Sequence, residues 1–367
     1  MHLGEIFSSV PDPRRETANK LHKLTDILTI SLLATISGCD NDEEIEEYGI
    51  VKEQFLRKFL ALPHGIPSHD TFTRVLNVVN PEKFSEVLYA HTNFLLDFLE
   101  EHHISIDGKV LRATKKRGKS NRGLCILTAW VCKQKLVLGQ LKTDQKSNEK
   151  TAIPELLEHI NVESALVSID AIGNSPDIAE QIVEGGGHYL LSLKKNQKTA
   201  FEQVQDFMKA RQQICLNDQQ KDFGSGRIET RTCYVSNEVH LMEKTQDWKN
   251  IESVIMVHAI REFEEQTQEE YRFYLSDKKE SPKYFNEKVR EHWSIENHLH
   301  WQLDVSFNED KSRTVAQNGA ENRNTLRKLA LQMLKQVNDK HSIAVRRKKA
   351  SWDDEYLMNI LGLYVRQ

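Results

Sequence analysis

The sequence has few of the features that mark secreted, membrane-spanning or disulfide-stabilised proteins. Its 367 residues include five cysteines, an odd number, with no Cys-x-x-Cys pair. A disulfide scaffold is therefore not expected, and a reducing compartment is favoured. The longest apolar run, within 24–39, is interrupted by polar residues and is too short to span a bilayer. The first residues lack the layout of a signal peptide. We expect a cytoplasmic protein with no membrane partner.

The chain also lacks a strong excess of one charge. Lysine and arginine total 50 against 54 acidic residues, which leaves a formal net charge of −4. The whole chain is not a polycation, so any nucleic-acid binding must depend on local basic clusters. The length is sufficient for two or three structural units.

Residues 1–100 are predicted to form a helical N-terminal domain. Apolar residues recur at helical spacing around Leu24–Leu33. The Pro- and Gly-containing stretch 63–67 should end one helix, and Ser68 can cap the next from His69. Two short helices around a break resemble a helix-turn-helix. An ordinary helical hairpin is the favoured interpretation, because turn chemistry alone is weak support.

Alternation changes to a strand pattern from about residue 102, and residues 101–200 are predicted to be the first part of an α/β domain. Five strands are predicted, at 104–107, 124–132, 136–141, 165–170 and 189–193. The first three should be antiparallel. The last two each follow a helix and should be parallel additions. A mixed five-stranded sheet of order 3-2-1-4-5, the ribonuclease H-like arrangement, is expected.

Residues 201–281 interrupt this pattern with further strand-like runs and are interpreted as a β-rich insertion. Helices resume at Pro282, and residues 282–340 should pack back on the sheet. Residues 341–367 are interpreted as a basic C-terminal tail, since they contain Arg346-Arg347-Lys348-Lys349.

Three acidic residues are the strongest candidates for chemistry. Asp107 and Asp170 each close a strand-forming run, and Glu296 lies on an aromatic-rich predicted helix. A carboxylate at the end of a buried strand is costly unless it is neutralised. Two neighbouring strands ending in Asp therefore favour a divalent-metal site and phosphodiester chemistry. Asp107 is a candidate to bridge two ions, with Asp170 and Glu296 each completing one.

Basic residues follow two of these acids. The segment after Asp107 and the segment after the fifth strand are rich in cations, which phosphate contacts require. The candidates for DNA binding are Lys109, Arg112, Lys115, Lys116, Arg117, Lys119, Arg122, Lys194, Lys195 and Lys198. A solvated loop is the alternative, and DNA contact is favoured because the clusters lie beside the acids.

A zinc site is a competing interpretation. His292, Glu296 and His300 are four residues apart, so they share one helical face and have donor types that bind Zn²⁺. The arrangement is disfavoured because the zinc-protease motif is absent and Asp107 and Asp170 would be unexplained.

Several motifs together resemble one family over nearly the whole chain. The sequence is similar to DDE-type insertion-sequence transposases, specifically the H repeat-associated proteins found with Rhs elements. The motifs are Pro11-Asp12-Pro13-Arg14-Arg15, Gly65-Ile66-Pro67-Ser68-His69-Asp70-Thr71-Phe72, Ile106-Asp107-Gly108-Lys109, Ile169-Asp170-Ala171, Lys194-Lys195-Asn196-Gln197, Gly226-Arg227-Ile228-Glu229-Thr230-Arg231, His292-Trp293-Ser294-Ile295-Glu296-Asn297, Leu299-His300-Trp301 and Leu303-Asp304-Val305.

The resemblance implies Mg²⁺-dependent cleavage and strand transfer at the inverted-repeat ends of a mobile element. It implies two ions per site, with Mn²⁺ able to substitute, and Asp107, Asp170 and Glu296 as catalytic and metal-binding residues. The implied partner is double-stranded DNA, bound by a homodimer on paired ends without a small-molecule cofactor. The N-terminal domain becomes a candidate for binding DNA ends.

This chain departs from related transposases around the glutamate. They often carry Tyr-x2-Arg-x3-Glu-x6-Lys, where Val289, His292, Glu296 and Leu303 stand here. Phosphate contacts must then come from elsewhere, and Arg290, Lys311 and Arg313 are the candidates. Two rival functions stay open. One is a catalytically silent DNA-binding relic of a mobile element, and the other is a ribonuclease H-like nuclease without strand transfer.

Overall fold

The N-terminal part of the chain is helical in the computed structural model, which describes residues 6–96, 102–114, 123–143, 149–224, 227–263, 266–312, 314 and 316–362. Its helices are α1 (Leu24–Ile36), α2 (Asp42–Val51), α3 (Glu53–Leu56), α4 (His69–Val78) and α5 (Pro81–Leu95). Helix α1 is buried on nearly every side because α2, α4 and the later helices surround it. Ser68 is the N-cap of α4, as predicted, although its hydroxyl makes no capping hydrogen bond.

Nine strands of the described residues form one sheet in the order β3-β2-β1-β4-β5-β9-β8-β7-β6. They are β1 (His103–Leu111), β2 (Leu124–Val131), β3 (Leu136–Thr143), β4 (Leu166–Ile169), β5 (His188–Leu193), β6 (Leu216–Gly224), β7 (Arg227–Ser236), β8 (Ser253–Glu262) and β9 (Thr267–Ser276). Strands β1 to β3 are antiparallel, and β4 and β5 run parallel to β1. The predicted order 3-2-1-4-5 and the mixed α/β class are confirmed.

The strands of the predicted insertion continue this sheet, which therefore does not end after five strands. Strand β9 pairs antiparallel with β5, from Leu190↔Ser276 to Leu193↔Phe273. This pairing satisfies the edge of β5, which would otherwise be exposed. Strand β6 was not expected, because its sequence is polar and its apolar residues do not alternate. It is an edge strand that pairs only with β7 among the described strands.

Helices cover both faces of the sheet. Helices α6 (Glu149–His159), α7 (Pro176–Glu184) and α8 (Lys198–Ala210) pack on the face that includes Ile104 and Ile106 of β1. Helix α9 (Pro282–His292) packs on the opposite face through Phe285 and Val289. Because side chains alternate along a strand, His103, Ser105 and Asp107 lie on the α9 face.

The remaining helices join the sheet to the N-terminal helices. They are α10 (Trp301–Ser306), α11 (Gly319–Lys335), α12 (Ile343–Trp352) and α13 (Asp354–Ile360). The segment expected to be a basic tail thus contains two packed helices. Arg347 is buried, donates to the Thr35 carbonyl oxygen at 3.0 Å and pairs with Asp40 at 2.9 Å. Arg346 pairs with Asp339 at 2.8 Å. Both arginines therefore serve packing. No helix in the described ranges has the length and apolar character needed to cross a bilayer.

Candidate functional site

Asp107 and Asp170 are brought together by the pairing of β1 with β4. The parallel register matches Ser105 with Ser168 and Ile106 with Ile169. Asp107 and Asp170 are the next residues after this last pair, so they lie side by side. Their side chains are 34% and 44% exposed, which leaves carboxylate oxygens open to solvent. The expectation that these acids are neighbours is met by this register.

Each aspartate also has fixed polar neighbours. One oxygen of Asp107 accepts from the Gly108 amide at 2.9 Å, and the other lies 3.6 Å from Nδ1 of His300. Asp170 accepts from the Ala171 amide at 2.6 Å and from the Lys194 ammonium group at 3.2 Å. The lysine beside Asp170 partly neutralises the pair of acids.

The serines that precede the aspartates anchor α9. Ser105 and Ser168 lie two residues before Asp107 and Asp170, on the same face of the sheet. The Ser168 hydroxyl is 2.8 Å from Nδ1 of His292, and the Ser105 hydroxyl donates to the His292 carbonyl oxygen at 2.9 Å. The end of α9 is therefore fixed to the two strands that carry the acids.

A second contact extends this anchor to His103. Its Nε2 lies 2.8 Å from the Ser168 hydroxyl and its Nδ1 lies 3.0 Å from the Glu291 carboxylate. The hydrogen bond from His103, together with Lys288, lowers the pKa of Glu291 to about 2. Burial, followed by the neighbouring His103, lowers the pKa of His292 to about 4. His292 is therefore neutral at pH 7.

Glu296 lies between two points at which its helical segment contacts β1. The first point is His292, which contacts Ser105. A π-helix then runs over Glu296–His300, and its last residue, His300, approaches Asp107. Burial, followed by Lys328 and Lys109, lowers the pKa of His300 to about 3. His300 is therefore neutral at pH 7, and its contact with Asp107 is a polar contact and not an ion pair. Single π-turns within helices are frequent at functional sites. The glutamate side chain is exposed.

The donor chemistry suits a hard divalent cation, since Asp107, Asp170 and Glu296 supply oxygen ligands. Among the described residues, however, no three His, Cys, Asp or Glu side chains are grouped closely enough to hold a metal ion. The register joins Asp107 with Asp170, and Glu296 is not gathered with them. The zinc alternative receives no support, because His292 and His300 contact serine and aspartate.

The basic residues predicted from the sequence have different surroundings. Lys109 is 10% exposed and pairs with Asp304 and Glu309, each at 2.5 Å, so its ammonium group is directed into the protein. Arg112 is 74% exposed and lies 3.5 Å from Asp310. Lys115, Lys116, Arg117, Lys119, Arg122 and Arg313 lie outside the described residues.

The other predicted cations are at the surface. Lys194 pairs with Asp170. Lys195, just before α8, and Lys198, its first residue, are exposed. Arg290 pairs with Asp222 and is 51% exposed. Lys311 is exposed and lines a cavity of about 720 Å³ with Asp40 and Asp42.

Five arginines beside Glu296 were not singled out as a group from the sequence. Arg227, Arg231, Arg261, Arg272 and Arg290 line a cleft of about 700 Å³ together with Glu296 and Trp293. Four of them are on strands. Each lies an even number of residues from an apolar residue that packs against α9, and this spacing is the sequence signal that identifies them. Only the pairing of β7, β8 and β9 shows that these rows are adjacent.

The chain matches two family models. The first, described as DDE_Tnp_1-associated, covers residues 4–92, and the second, described as Transposase DDE domain, covers residues 99–333. A protein of Xanthobacter autotrophicus, described as an uncharacterized protein in the dhlA 3′ region, is 40% identical over 76% of this chain and 95% of its own length.

Two Escherichia coli (strain K12) relatives have more informative names. The "H repeat-associated putative transposase YhhI" is 34% identical over 98% of this chain and 97% of its own length. The "Inactive transposase YbfQ" is 40% identical over 20% of this chain and 88% of its own length.

Proposed function

Because the chain belongs to the DDE transposase family, we propose that it cuts DNA at the inverted-repeat ends of a mobile element and joins those ends to target DNA. Asp107, Asp170 and Glu296 are the proposed catalytic residues. The observation that carries the proposal is the register of β1 with β4, which makes the two aspartates neighbours beneath the helical segment that bears Glu296.

Members of this family generally use divalent metal ions. The proposed ions are two Mg²⁺, with Mn²⁺ as a substitute, held by Asp107, Asp170 and Glu296. When bound, such ions supply activation of the attacking oxygen and stabilisation of the leaving oxygen. The protein's part is to set Asp107 beside Asp170 through the pairing of β1 with β4, and to fix the helical segment that bears Glu296 through the contacts of His292 and His300.

The proposed partner is double-stranded DNA, bound as a pair of element ends by a homodimer. Arg112, Lys194, Lys195, Lys198 and Arg290 are surface cations suited to phosphate contacts. Lys311, Arg313 and the five predicted cations within 115–122 stay candidates for DNA binding. Lys109 is left out of the proposed DNA surface, because its ammonium group already neutralises two carboxylates.

The test is nicking of duplex DNA that carries the sequences flanking the gene. The wild-type protein should nick it only with Mg²⁺ or Mn²⁺. Asp107→Asn, Asp170→Asn and Glu296→Gln should each abolish nicking while leaving binding of the duplex in EDTA intact. Unchanged nicking in all three variants would refute the site.

The relic is the second candidate, and the relative named an inactive transposase is the observation that favours it. A relic would bind the same duplex and show no cleavage with either metal. A nuclease without strand transfer would cut the duplex but would not join pre-cut ends to a target plasmid.

A further inference from the structure

The five arginines Arg227, Arg231, Arg261, Arg272 and Arg290 form what we call the arginine cleft. We propose that the arginine cleft holds backbone phosphates of the DNA next to Glu296. The inference rests on the proposed function, and it assigns a specific DNA contact to the β-rich insertion.

The arginine cleft is built by a change of character along three neighbouring strands. On the face that packs against α9, β7, β8 and β9 are first apolar, with Cys233, Val257 and Tyr274 in one core. Two residues nearer the cleft on each strand stand Arg231, Ala259 and Arg272. Cross-strand pairing matches Arg231 with Ala259 and Glu229 with Arg261. The arginines thus continue the α9-facing rows beyond the apolar part and end beside Trp293 and Glu296.

Carboxylates neutralise only part of this charge. Five arginines and three carboxylates, Asp222, Glu229 and Glu296, line the cleft. A fourth carboxylate, Glu270, pairs with two of these arginines, so five guanidinium groups meet four carboxylates. Arg231 and Arg290 share Asp222, and Arg261 lies 3.4 Å from Glu229. Arg272 is held by the adjacent Glu270 at 2.8 Å. If Glu296 binds metal, it no longer offsets the arginines, and the cleft becomes a stronger anion site.

Arg231 has a donor that lacks a partner. Its Nε is buried and makes no hydrogen bond within the described part of the chain. Burial, followed by the nearby Arg290 guanidinium, lowers the pKa of Arg231. A buried donor without a partner and a crowded cation both gain from a bound anion. An oxyanion between these arginines would satisfy both.

The chemistry and dimensions favour phosphodiesters over a single small anion. Guanidinium groups match phosphate oxygens with two parallel hydrogen bonds. Three neighbouring strands span about 10 Å, since strands lie about 4.8 Å apart. Successive phosphates of one DNA strand advance by roughly 3.4 Å along the helix axis. The arginine cleft can therefore contact more than one phosphate. Trp293, 39% exposed and 4.9 Å from the Arg272 guanidinium, forms its wall towards α9.

The test measures how duplex binding depends on salt. The full chain is titrated with a labelled duplex of the DNA flanking the gene, in EDTA, from roughly 50 to 200 mM salt. Arg231→Gln, Arg261→Gln and Arg290→Gln should each weaken binding and reduce the slope of log Kd against log salt by about 1. Thermal unfolding identifies any variant that fails to fold. Arg290→Gln, with a half-exposed side chain, then carries the test.

Arg211→Gln is the matched control. Arg211 pairs with one carboxylate, Glu238, but follows α8, which packs on the opposite face of the sheet. The slope of log Kd against log salt for Arg211→Gln should equal that of the wild type. Unchanged slopes in all three cleft variants, or an equal change in Arg211→Gln, would overturn the proposal. A reduced slope in a protein that never cleaves DNA would refute the proposed catalysis and leave the arginine cleft supported.

Discussion

Nδ1 of His292 lies 2.8 Å from the hydroxyl of Ser168, two residues before Asp170. Ser105 makes the equivalent contact two residues before Asp107. One histidine therefore contacts both acid-bearing strands, and Glu296 follows it by four residues. His292 is a positioning residue in the proposed site, because it acts through the placement of Glu296.

We expect His292→Asn and His292→Gln to differ. The asparagine amide reaches the position of Nδ1, and the glutamine amide reaches that of Nε2. His292→Gln should lower the cleavage rate about 10- to 100-fold, the usual effect of losing a residue that orients metal ligands. It should also raise the Mg²⁺ concentration for half-maximal cleavage, while the Kd for duplex in EDTA is unchanged.

The asparagine variant is the control for simple loss of the imidazole ring. It should recover most of the rate and the wild-type Mg²⁺ requirement. Equal losses in both variants would mean that His292 contributes packing alone.

Lys109→Met should destabilise the fold. The lysine neutralises Asp304 and the buried Glu309, whose side chain is 2% exposed. Removing one partner of a buried ion pair costs about 3 kcal/mol of unfolding free energy. Arg112→Met is the comparison, because that arginine is 74% exposed and its loss should cost less than about 1 kcal/mol. Urea denaturation measures both. Weaker DNA binding at unchanged stability would instead place Lys109 on the DNA surface.

Lys328 should make stability depend on pH. It is 2% exposed and donates to Thr128 and Gln140, each at 2.8 Å. Burial, reinforced by Lys109, lowers its pKa to about 7. Between that pKa and its value in the unfolded chain, about 10.4, the unfolded state binds more protons. Stability should therefore rise with pH in this window, by at most about 1.4 kcal/mol per pH unit.

Lys328→Met isolates this contribution. The variant should lose the part of the rise that the wild type shows above pH 7 in urea denaturation. Lys335, whose pKa burial also lowers to about 7, is present in both proteins and cancels in the difference. Parallel stability profiles for the two proteins would contradict the prediction.

The sheet order could be predicted because its signals are local. Short alternating runs, turns and intervening helices define β1 to β5, and the rule for parallel crossovers then gives their order. Strand β6 could not be predicted in this way, since its polar sequence is stabilised by pairing with β7. The pairing of β9 with β5 could not be predicted either, because it joins segments about 80 residues apart in the chain.

The sequence by itself determined the class of fold, the neighbouring positions of Asp107 and Asp170, and the family. Tertiary structure decided how each charge is used. Lys109 is an internal counter-ion because its partners, Asp304 and Glu309, come from 195 and 200 residues away. Arg347 is packed for the same reason, because Thr35 and Asp40 come from 312 and 307 residues away. The arginine cleft exists only where three strands and α9 meet. A charge is available to a ligand only when distant segments leave it without a full complement of partners, and local sequence does not contain those partners.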